Sequence, residues 1–285
     1  MEVLKIFHFS LFTFHFFPYL CRVNSIFMRR FLYLIIYIGA VILLPTGAFA
    51  QSGKGFTVVL DAGHGGKDPG AVGTSSRNRE KDIALAITNE IGRLLQQNNK
   101  DINVVFTRTN DVFIELGRRA QIANKAKANL FVSVHVNAIP KNAGHYALGV
   151  QSYTLSLKTV GTNLEVEKRE NSVIALEGDA AKQYDYFPSA ESDIMFELMQ
   201  DHDMKESVEF AQMAQEAMVG IGRKDMGVRQ ANLAVLRLTY MPSVLLEVGF
   251  ISTPSEEQFL MSTEGRNALA RAIYGAIVKY KQQNT

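Results

Sequence analysis

Two histidines and a glutamate stand where short apolar stretches of this sequence end. His64 closes the run V-V-L-D-A-G-H, His135 lies in F-V-S-V-H-V-N-A, and Glu247 closes V-L-L-E. Residues 51–285 contain no cysteine. Catalytic zinc usually takes three protein ligands, with imidazole and carboxylate among the preferred donors, and keeps a fourth position for water. The pattern therefore indicates metal chemistry.

The alternation along these stretches predicts where the polar side chains point. His135 shares a strand face with Phe131 and Ser133 and lies opposite the neighbouring valines. In open α/β sheets, ligands bind at the carboxyl ends of the strands, so the strand ends should converge. Glu80, at the start of the helix after the His64 loop, would complete a ligand set of two imidazoles and one carboxylate. Glu247 would then remain as an unligated base.

Each of these residues also has a simpler interpretation. A single glutamate such as Glu80 is often a first-turn residue that interacts with the helix dipole. A lone strand histidine is often a satisfied core or surface residue. Glu247 is harder to dismiss, because a carboxylate in a buried strand is costly without a purpose.

Other catalytic motifs do not match, because individual residues differ from what each motif requires. Asp61 stands where a phosphate-binding loop needs its first glycine, and Asp68 stands where that loop needs serine or threonine. Asp68 also replaces the third glycine of a dinucleotide fingerprint. The sequence has no H-E-x-x-H motif and no G-x-S-x-G elbow.

The hydrophobic pattern predicts an α/β fold with a mostly parallel twisted sheet flanked by helices. A single catalytic domain is expected over residues 55–283, with a partly helical regulatory insertion at about 158–220. The predicted strands are Thr57–Asp61, Asn103–Thr107, Leu130–Val136, Ala147–Leu155, Val235–Leu238 and Val244–Glu247. The predicted helices are Ile83–Leu95, Ile114–Ala128, Glu191–Ile221 and Gly265–Tyr280.

The first 50 residues are typical of an export signal rather than of a folded domain. Residues 28–50 combine two arginines, an uncharged stretch and a terminal Ala-Phe-Ala, as in a cleaved signal peptide. Residues 1–27 hold seven phenylalanines and Cys21, and we interpret them as an upstream extension with Met28 as the initiator. The protein is therefore expected to be exported, to the periplasm or cell envelope. It would be held at a membrane only if the signal stays uncleaved.

The charge balance argues against a nucleic-acid partner. Four of the 30 basic residues and one of the 28 acidic residues lie in residues 1–50, which leaves 26 and 27. A nucleic-acid-binding domain normally carries a basic excess.

Taken together, these motifs resemble the zinc-dependent N-acetylmuramoyl-L-alanine amidases of the bacterial cell-division type. The resemblance rests on D-A-G-H-G-G-K-D-P-G-A, Glu80, F-V-S-V-H-V-N-A, G-V-R-Q-A-N-L-A-V-L-R and P-S-V-L-L-E-V-G-F-I-S. It implies that His64, Glu80 and His135 bind Zn²⁺ and that Glu247 is catalytic. It also implies peptidoglycan as the substrate, cleavage between N-acetylmuramic acid and the L-alanine of the stem peptide, and a role in cell-wall turnover and daughter-cell separation.

The insertion resembles a regulatory element of those amidases through the run Lys168–Asn171. In that family a glutamate of an Arg-Glu-Asn run reaches the zinc, and Glu170 matches it as a candidate autoinhibitory zinc contact. The alternative is a solvated, charged loop. An activator protein is expected to dock on the insertion, with the Met-rich stretch Ile194–Met218 as the surface, unless that stretch packs on the core.

Two rival functions stay open at the level of sequence. One is another zinc hydrolase of the same fold that acts on a different amide. The other is a catalytically silent peptidoglycan-binding or regulatory protein, although a degenerate member should have lost one of the four site residues.

Overall fold

The computed structural model describes Arg30 and residues 55–140, 143–156, 163–179 and 190–284. The predicted upstream extension and signal peptide otherwise lie outside the described residues, as do residues 157–162 and 180–189 of the insertion. Among the helices that are described, none has the length and apolar character needed to cross a bilayer.

Six strands and seven α-helices make up the described part of the chain. The strands are β1 (Phe56–Ala62), β2 (Ile102–Phe106), β3 (Leu130–Asn137), β4 (Val150–Leu155), β5 (Asp225–Ala231) and β6 (Ser243–Phe250). The helices are α1 (Glu80–Asn98), α2 (Leu116–Lys125), α3 (Leu164–Asn171), α4 (Ala190–Gly220), α5 (Ala234–Arg237), α6 (Pro254–Met261) and α7 (Thr263–Asn284). A 3-10 helix, Ser172–Leu176, follows α3 directly.

The strands form one sheet in the order β2-β1-β3-β6-β4-β5. The first four strands in this order are parallel to one another, whereas β4 is antiparallel to β6 and parallel to β5. The predicted α/β class with a mostly parallel sheet is therefore confirmed. In the register of β3 and β6, His135 lies directly opposite Glu247.

Apolar residues cover both faces of the sheet, as the strand alternation predicts. The even-numbered residues of β3 and β6 pack with α1, α4 and α7 in one cluster, while Phe131 and Leu245 belong to a second cluster on the other face. The second half of α4 lies in the first cluster, with Phe210, Ala214 and Met218 buried. For that half of the Met-rich stretch, core packing is the observed role.

Three elements differ from the sequence-based expectation. The predicted strand Val235–Leu238 is wrong, because these residues fall on the short helix α5. The strand next to it, β5, was not predicted, because it lies at the sheet edge and much of it is exposed. Helix α3 lies in a stretch without clear periodicity, since its buried positions are glutamates rather than apolar residues.

Candidate metal centre

His64 reaches the sheet edge through a tight turn after β1. Its backbone has φ +59°, and the next two residues also have positive φ, which glycine adopts without strain. The Nδ1 atom of His64 lies 2.7 Å from Asp68 Oδ2, so Nε2 is the nitrogen that faces the centre. At Gly63, an added Cβ would lie 2.5 Å from the ring of His135. The absence of a side chain at Gly63 therefore lets the two imidazoles approach.

Four buried side chains converge at this point: His64, Glu80, His135 and Glu170. Glu80 Oε1 lies 3.1 Å from His64 Nε2 and 3.2 Å from His135 Nδ1. Glu170 Oε2 lies 3.3 Å and 2.8 Å from the same two nitrogens. One ligand atom from each residue lies within 4.8 Å of all the others. We call these four residues the metal cluster.

The metal cluster has a donor set that suits zinc, two imidazoles and two carboxylates. Bonds of about 2.0–2.1 Å place tetrahedral ligand atoms about 3.3 Å apart. The four imidazole–carboxylate separations of 2.8–3.3 Å are close to this value, and all the ligand atoms lie within 4.8 Å of one another. Within the described part of the chain, His64 Nε2 and Glu170 Oε2 are buried without a hydrogen-bond partner. These residues could therefore hold a metal ion.

The charges in the metal cluster stabilise one another. Burial alone lowers the pKa of His135, but Glu170 and Glu80 outweigh burial and raise that pKa to about 9. Burial raises the pKa of Glu170, yet His135 and Arg169 hold it well below its usual range. The Glu170 carboxylate is therefore ionised, the state in which a carboxylate binds a cation.

Glu80 is more than a first-turn residue that interacts with the helix dipole. It is fully buried at the first position of α1. Its Oε2 accepts a hydrogen bond from Ala71 N at 2.7 Å, and its Oε1 accepts one from Val136 N at 2.8 Å. These contacts fix the carboxylate between the His64 loop and β3, facing both imidazoles.

Glu247 lies next to the metal cluster on β6 and is fully buried. Its Oε1 accepts a hydrogen bond from Arg169 Nη2 at 2.7 Å. Its Oε2 has no hydrogen-bond partner among the described residues. Burial raises the pKa of Glu247 to about 8, because the opposing effect of Arg169 is smaller and Glu170 and Glu80 add negative charge. The carboxyl group can therefore exchange a proton near neutral pH.

Helix α3 and the following 3-10 helix cover this site, and we call them the lid. Glu170 is 4% exposed, so it does not lie in a solvated loop. The lid residue Arg169 donates hydrogen bonds to Glu170 Oε1, to Asn137 Oδ1 and to Glu247 Oε1, each at 2.7 Å. At the other end of the lid, Lys67 Nζ donates to Leu176 O at 2.6 Å.

A buried polar network lies beneath the turn of His64, and sequence reasoning missed it. Asp61 accepts hydrogen bonds from Arg119 at 2.8 Å, Thr107 at 2.5 Å and Ser133 at 2.6 Å. Arg119 also donates to Ala62 O and to His64 O, both at 2.7 Å. We call Asp61, Arg119, Thr107 and Ser133 the floor. Its signal in the sequence was Asp61 itself, a carboxylate inside an apolar strand.

A cleft of about 1010 Å³ opens beside the lid. Backbone and side chains of residues 71–74 line one part of it, and residues 138–140 line another. Its remaining lining residues are His145, Tyr146, Glu165, Lys168, Arg169 and Ser252. The cleft is large enough to take an extended, partly polar substrate.

The chain also matches a known protein family. Residues 58–279 match the family described as N-acetylmuramoyl-L-alanine amidase. The chain belongs to this family. The amidase AmiA of Salmonella typhimurium is 32% identical over 235 residues, which cover 81% of this chain and 78% of that protein.

Solved amidase structures agree with the fold. The N-acetylmuramoyl-L-alanine amidase of Clostridium difficile 630 is 30% identical, with a TM-score of 0.61 over 81% of this chain and 98% of that one. The amidase CwlD of Clostridioides difficile, solved in complex with the GerS lipoprotein, is 25% identical. Its TM-score is 0.59, over 80% of this chain and 98% of that one.

Proposed function

We propose that this protein is a zinc-dependent N-acetylmuramoyl-L-alanine amidase. Its substrate would be peptidoglycan, cut at the amide between N-acetylmuramic acid and the L-alanine of the stem peptide. The observation that carries the proposal is the convergence of two imidazoles and Glu80 beside the buried Glu247, in a chain of this family. Cell-wall turnover and daughter-cell separation are the proposed setting.

In this proposal His64, Glu80 and His135 are the zinc ligands. Asp68 orients His64 so that Nε2 is the ligand atom, and backbone amides orient Glu80. Bound zinc would supply polarisation of the amide carbonyl and activation of water.

Glu247 is proposed as the general base and acid. Its unpartnered Oε2 can accept a proton from the attacking water, and the carboxyl group can return that proton to the leaving amine of L-alanine. Burial raises the pKa of Glu247, which brings its proton exchange closer to neutral pH.

Glu170 is proposed to keep the resting enzyme silent. Its carboxylate occupies the fourth corner of the metal cluster, where a substrate oxygen or water would otherwise bind. Arg169 adds a second restraint, because it holds one oxygen of Glu247. An activator that prefers the open state by about 5.5 kcal/mol would move a ~1% open population to ~99%.

We further propose that the enzyme acts in the periplasm or cell envelope after removal of residues 28–50. The activator is proposed to be a protein that engages the insertion. The structure of CwlD with a lipoprotein supports the idea that an amidase of this fold can be bound by another protein.

The first test is metal content. The full mature chain should hold one zinc per molecule by elemental analysis, and His64→Ala or His135→Ala should lose it. Full zinc in both variants would contradict the ligand assignment.

The second test separates chemistry from metal binding. Glu247→Gln should keep its zinc and its fold yet release dye-labelled fragments from purified sacculi about 10²–10⁴-fold more slowly, because the proton acceptor is lost. The comparison is made in the Glu170→Ala background, so that the lid does not limit the rate. Near-normal turnover would remove Glu247 from the mechanism.

A further inference from the structure

One wall of the cleft is a small hairpin between the His64 loop and α1. Val72 pairs with Arg79, Gly73 N donates to Asn78 O at 2.9 Å, and Ser76 N donates to Gly73 O at 3.0 Å. We call residues 72–79 the hairpin. Its base leads directly into Glu80, whose carboxylate accepts a hydrogen bond from Ala71 N.

A carboxylate from a distant helix holds this hairpin. Glu257 in the first turn of α6 is 6% exposed. It accepts hydrogen bonds from Thr74 N at 3.1 Å, Ser75 Oγ at 3.3 Å and Asn78 Nδ2 at 2.8 Å, and also one from the Thr74 hydroxyl. All four donors belong to the hairpin.

The fit between Glu257 and the hairpin is close. A Cβ added to Gly73 would lie 2.1 Å from Glu257 Oε1, so only glycine leaves room for the carboxylate there. Burial raises the pKa of Glu257, but the hydrogen bonds from Thr74 and Asn78 outweigh it and lower the pKa. The carboxylate is therefore ionised when it binds the hairpin, and bonds to a charged acceptor are stronger than neutral ones.

The hairpin meets the cleft through Val72, Gly73 and Thr74. Residues 138–140, which directly follow β3, also line the cleft. The pairing of Val72 with Arg79 is an isolated bridge outside the six strands of the described sheet. In the described structure, the side-chain contacts that connect it to the rest of the fold include the four hydrogen bonds to Glu257.

From this geometry we infer that Glu257 is a positioning residue for substrate binding: it fixes the hairpin as one wall of the peptidoglycan cleft. The inference rests on the proposed amidase function. Glu257 touches neither the metal cluster nor Glu247, so its loss should weaken substrate binding rather than the chemical step.

The chain offers a matched control in the adjacent residue. Glu256 is 5% exposed on the same turn of α6, but its carboxylate binds Gly149 N, Phe250 N and Arg223 instead of the hairpin. Substitution by glutamine at either position removes one buried acidic charge from the first turn of α6. Only Glu257 should affect the cleft wall.

The test compares Glu257→Gln with Glu256→Gln in the full mature, zinc-loaded chain carrying Glu170→Ala. The probe is a soluble disaccharide tetrapeptide that contains the N-acetylmuramoyl-L-alanine amide. We expect Glu257→Gln to raise KM about tenfold, equivalent to about 1.4 kcal/mol, with kcat within about twofold. Glu256→Gln should leave KM within about twofold. Asn78→Ala should raise KM in the same direction, and its effect should be absent when Glu257→Gln is already present.

A binding measurement keeps this test separate from the amidase proposal. The same substitutions are made with Glu247→Gln, and the dissociation constant of the probe is measured by calorimetry. If no variant turns over the probe, the amidase proposal fails, and a weaker dissociation constant for Glu257→Gln alone still supports the positioning role.

Several outcomes would overturn the inference. These are an unchanged KM and dissociation constant in a folded Glu257→Gln variant, equal effects at both glutamates, loss of zinc from Glu257→Gln, or no binding of the probe to the parent. If Glu257→Gln does not fold, the inference is tested by the KM and dissociation constant of Asn78→Ala, which should both rise.

Discussion

The floor beneath His64 and the lid above it are both built from buried charges, but they differ in how completely those charges are paired. In the floor, Asp61 receives three hydrogen bonds and Arg119 is 2% exposed. In the lid, Arg169 is shared between Glu170 and Glu247, its side chain is 22% exposed, and each of those carboxylates has a buried oxygen without a hydrogen-bond partner among the described residues. The floor is suited to hold one geometry, whereas the lid is the part that we propose to open.

The largest effect should come from breaking the floor. Arg119→Met leaves the Asp61 carboxylate buried without its cation, which should lower the free energy of unfolding by about 3–5 kcal/mol. Urea denaturation followed by circular dichroism measures the change. As a control, Arg93→Met breaks the exposed pair with Glu90 and should leave the midpoint unchanged. A small effect of Arg119→Met would remove the distinction between floor and lid.

A smaller effect, on activity, should follow from freeing the metal cluster. If the closed form is about 99% populated, Glu170→Ala should raise activator-free turnover of sacculi up to about a hundredfold, while zinc content stays the same. Leu164→Ala, at an exposed position of the lid that does not line the cleft, is the control. A folded, zinc-loaded Glu170→Ala variant with no gain over its parent would show that the lid is not inhibitory.

Removal of the lid cation should have a modest effect on stability. Arg169→Met should lower the free energy of unfolding by less than Arg119→Met does, because the freed carboxylates can reach water when the lid opens. Amide hydrogen exchange should instead show faster exchange confined to residues 164–176. A loss as large as that of Arg119→Met would mean that the lid is part of the permanent core.

The smallest expected effect is on how steeply the free energy of unfolding falls at acid pH. Burial raises the pKa of Asp61, but Arg119, Ser133 and Thr107 outweigh it, so the pKa lies below 3.8. A carboxylate whose folded pKa is depressed stabilises the fold above its unfolded pKa, and this contribution is lost as the pH falls through the folded pKa. Asp61→Asn should therefore flatten the fall in unfolding free energy as the pH drops below about 4. An unchanged slope would contradict the assignment.

The sequence predicted the parallel half of the sheet better than the rest. Strands β1, β3 and β6 are continuous apolar runs, and their polar residues at the strand ends stand out against that background. The edge strand β5 is largely polar and exposed, so its pattern resembles a loop. The buried residues of helix α3 are Glu167 and Glu170, and their burial depends on partners far along the chain.

Site residues that differ from the apolar sequence around them could be predicted. Residues whose roles depend on partners far along the chain could not. His64, His135 and Glu247 stand out locally, and the structure brings them together at one sheet edge. Arg119 and Glu257 look like ordinary charged helix residues, because their roles depend on Asp61 and on the hairpin, 58 and about 180 residues away. Long-range hydrogen bonds of this kind leave no local pattern.

The close approach at Gly63 has a consequence for how this sequence can vary. The space that a side chain would fill there is occupied by the imidazole of His135, 72 residues later in the chain. The residue types at the two positions therefore constrain each other. Any lineage that acquires a larger residue at 63 should also have changed residue 135, even if the loop around it is otherwise intact.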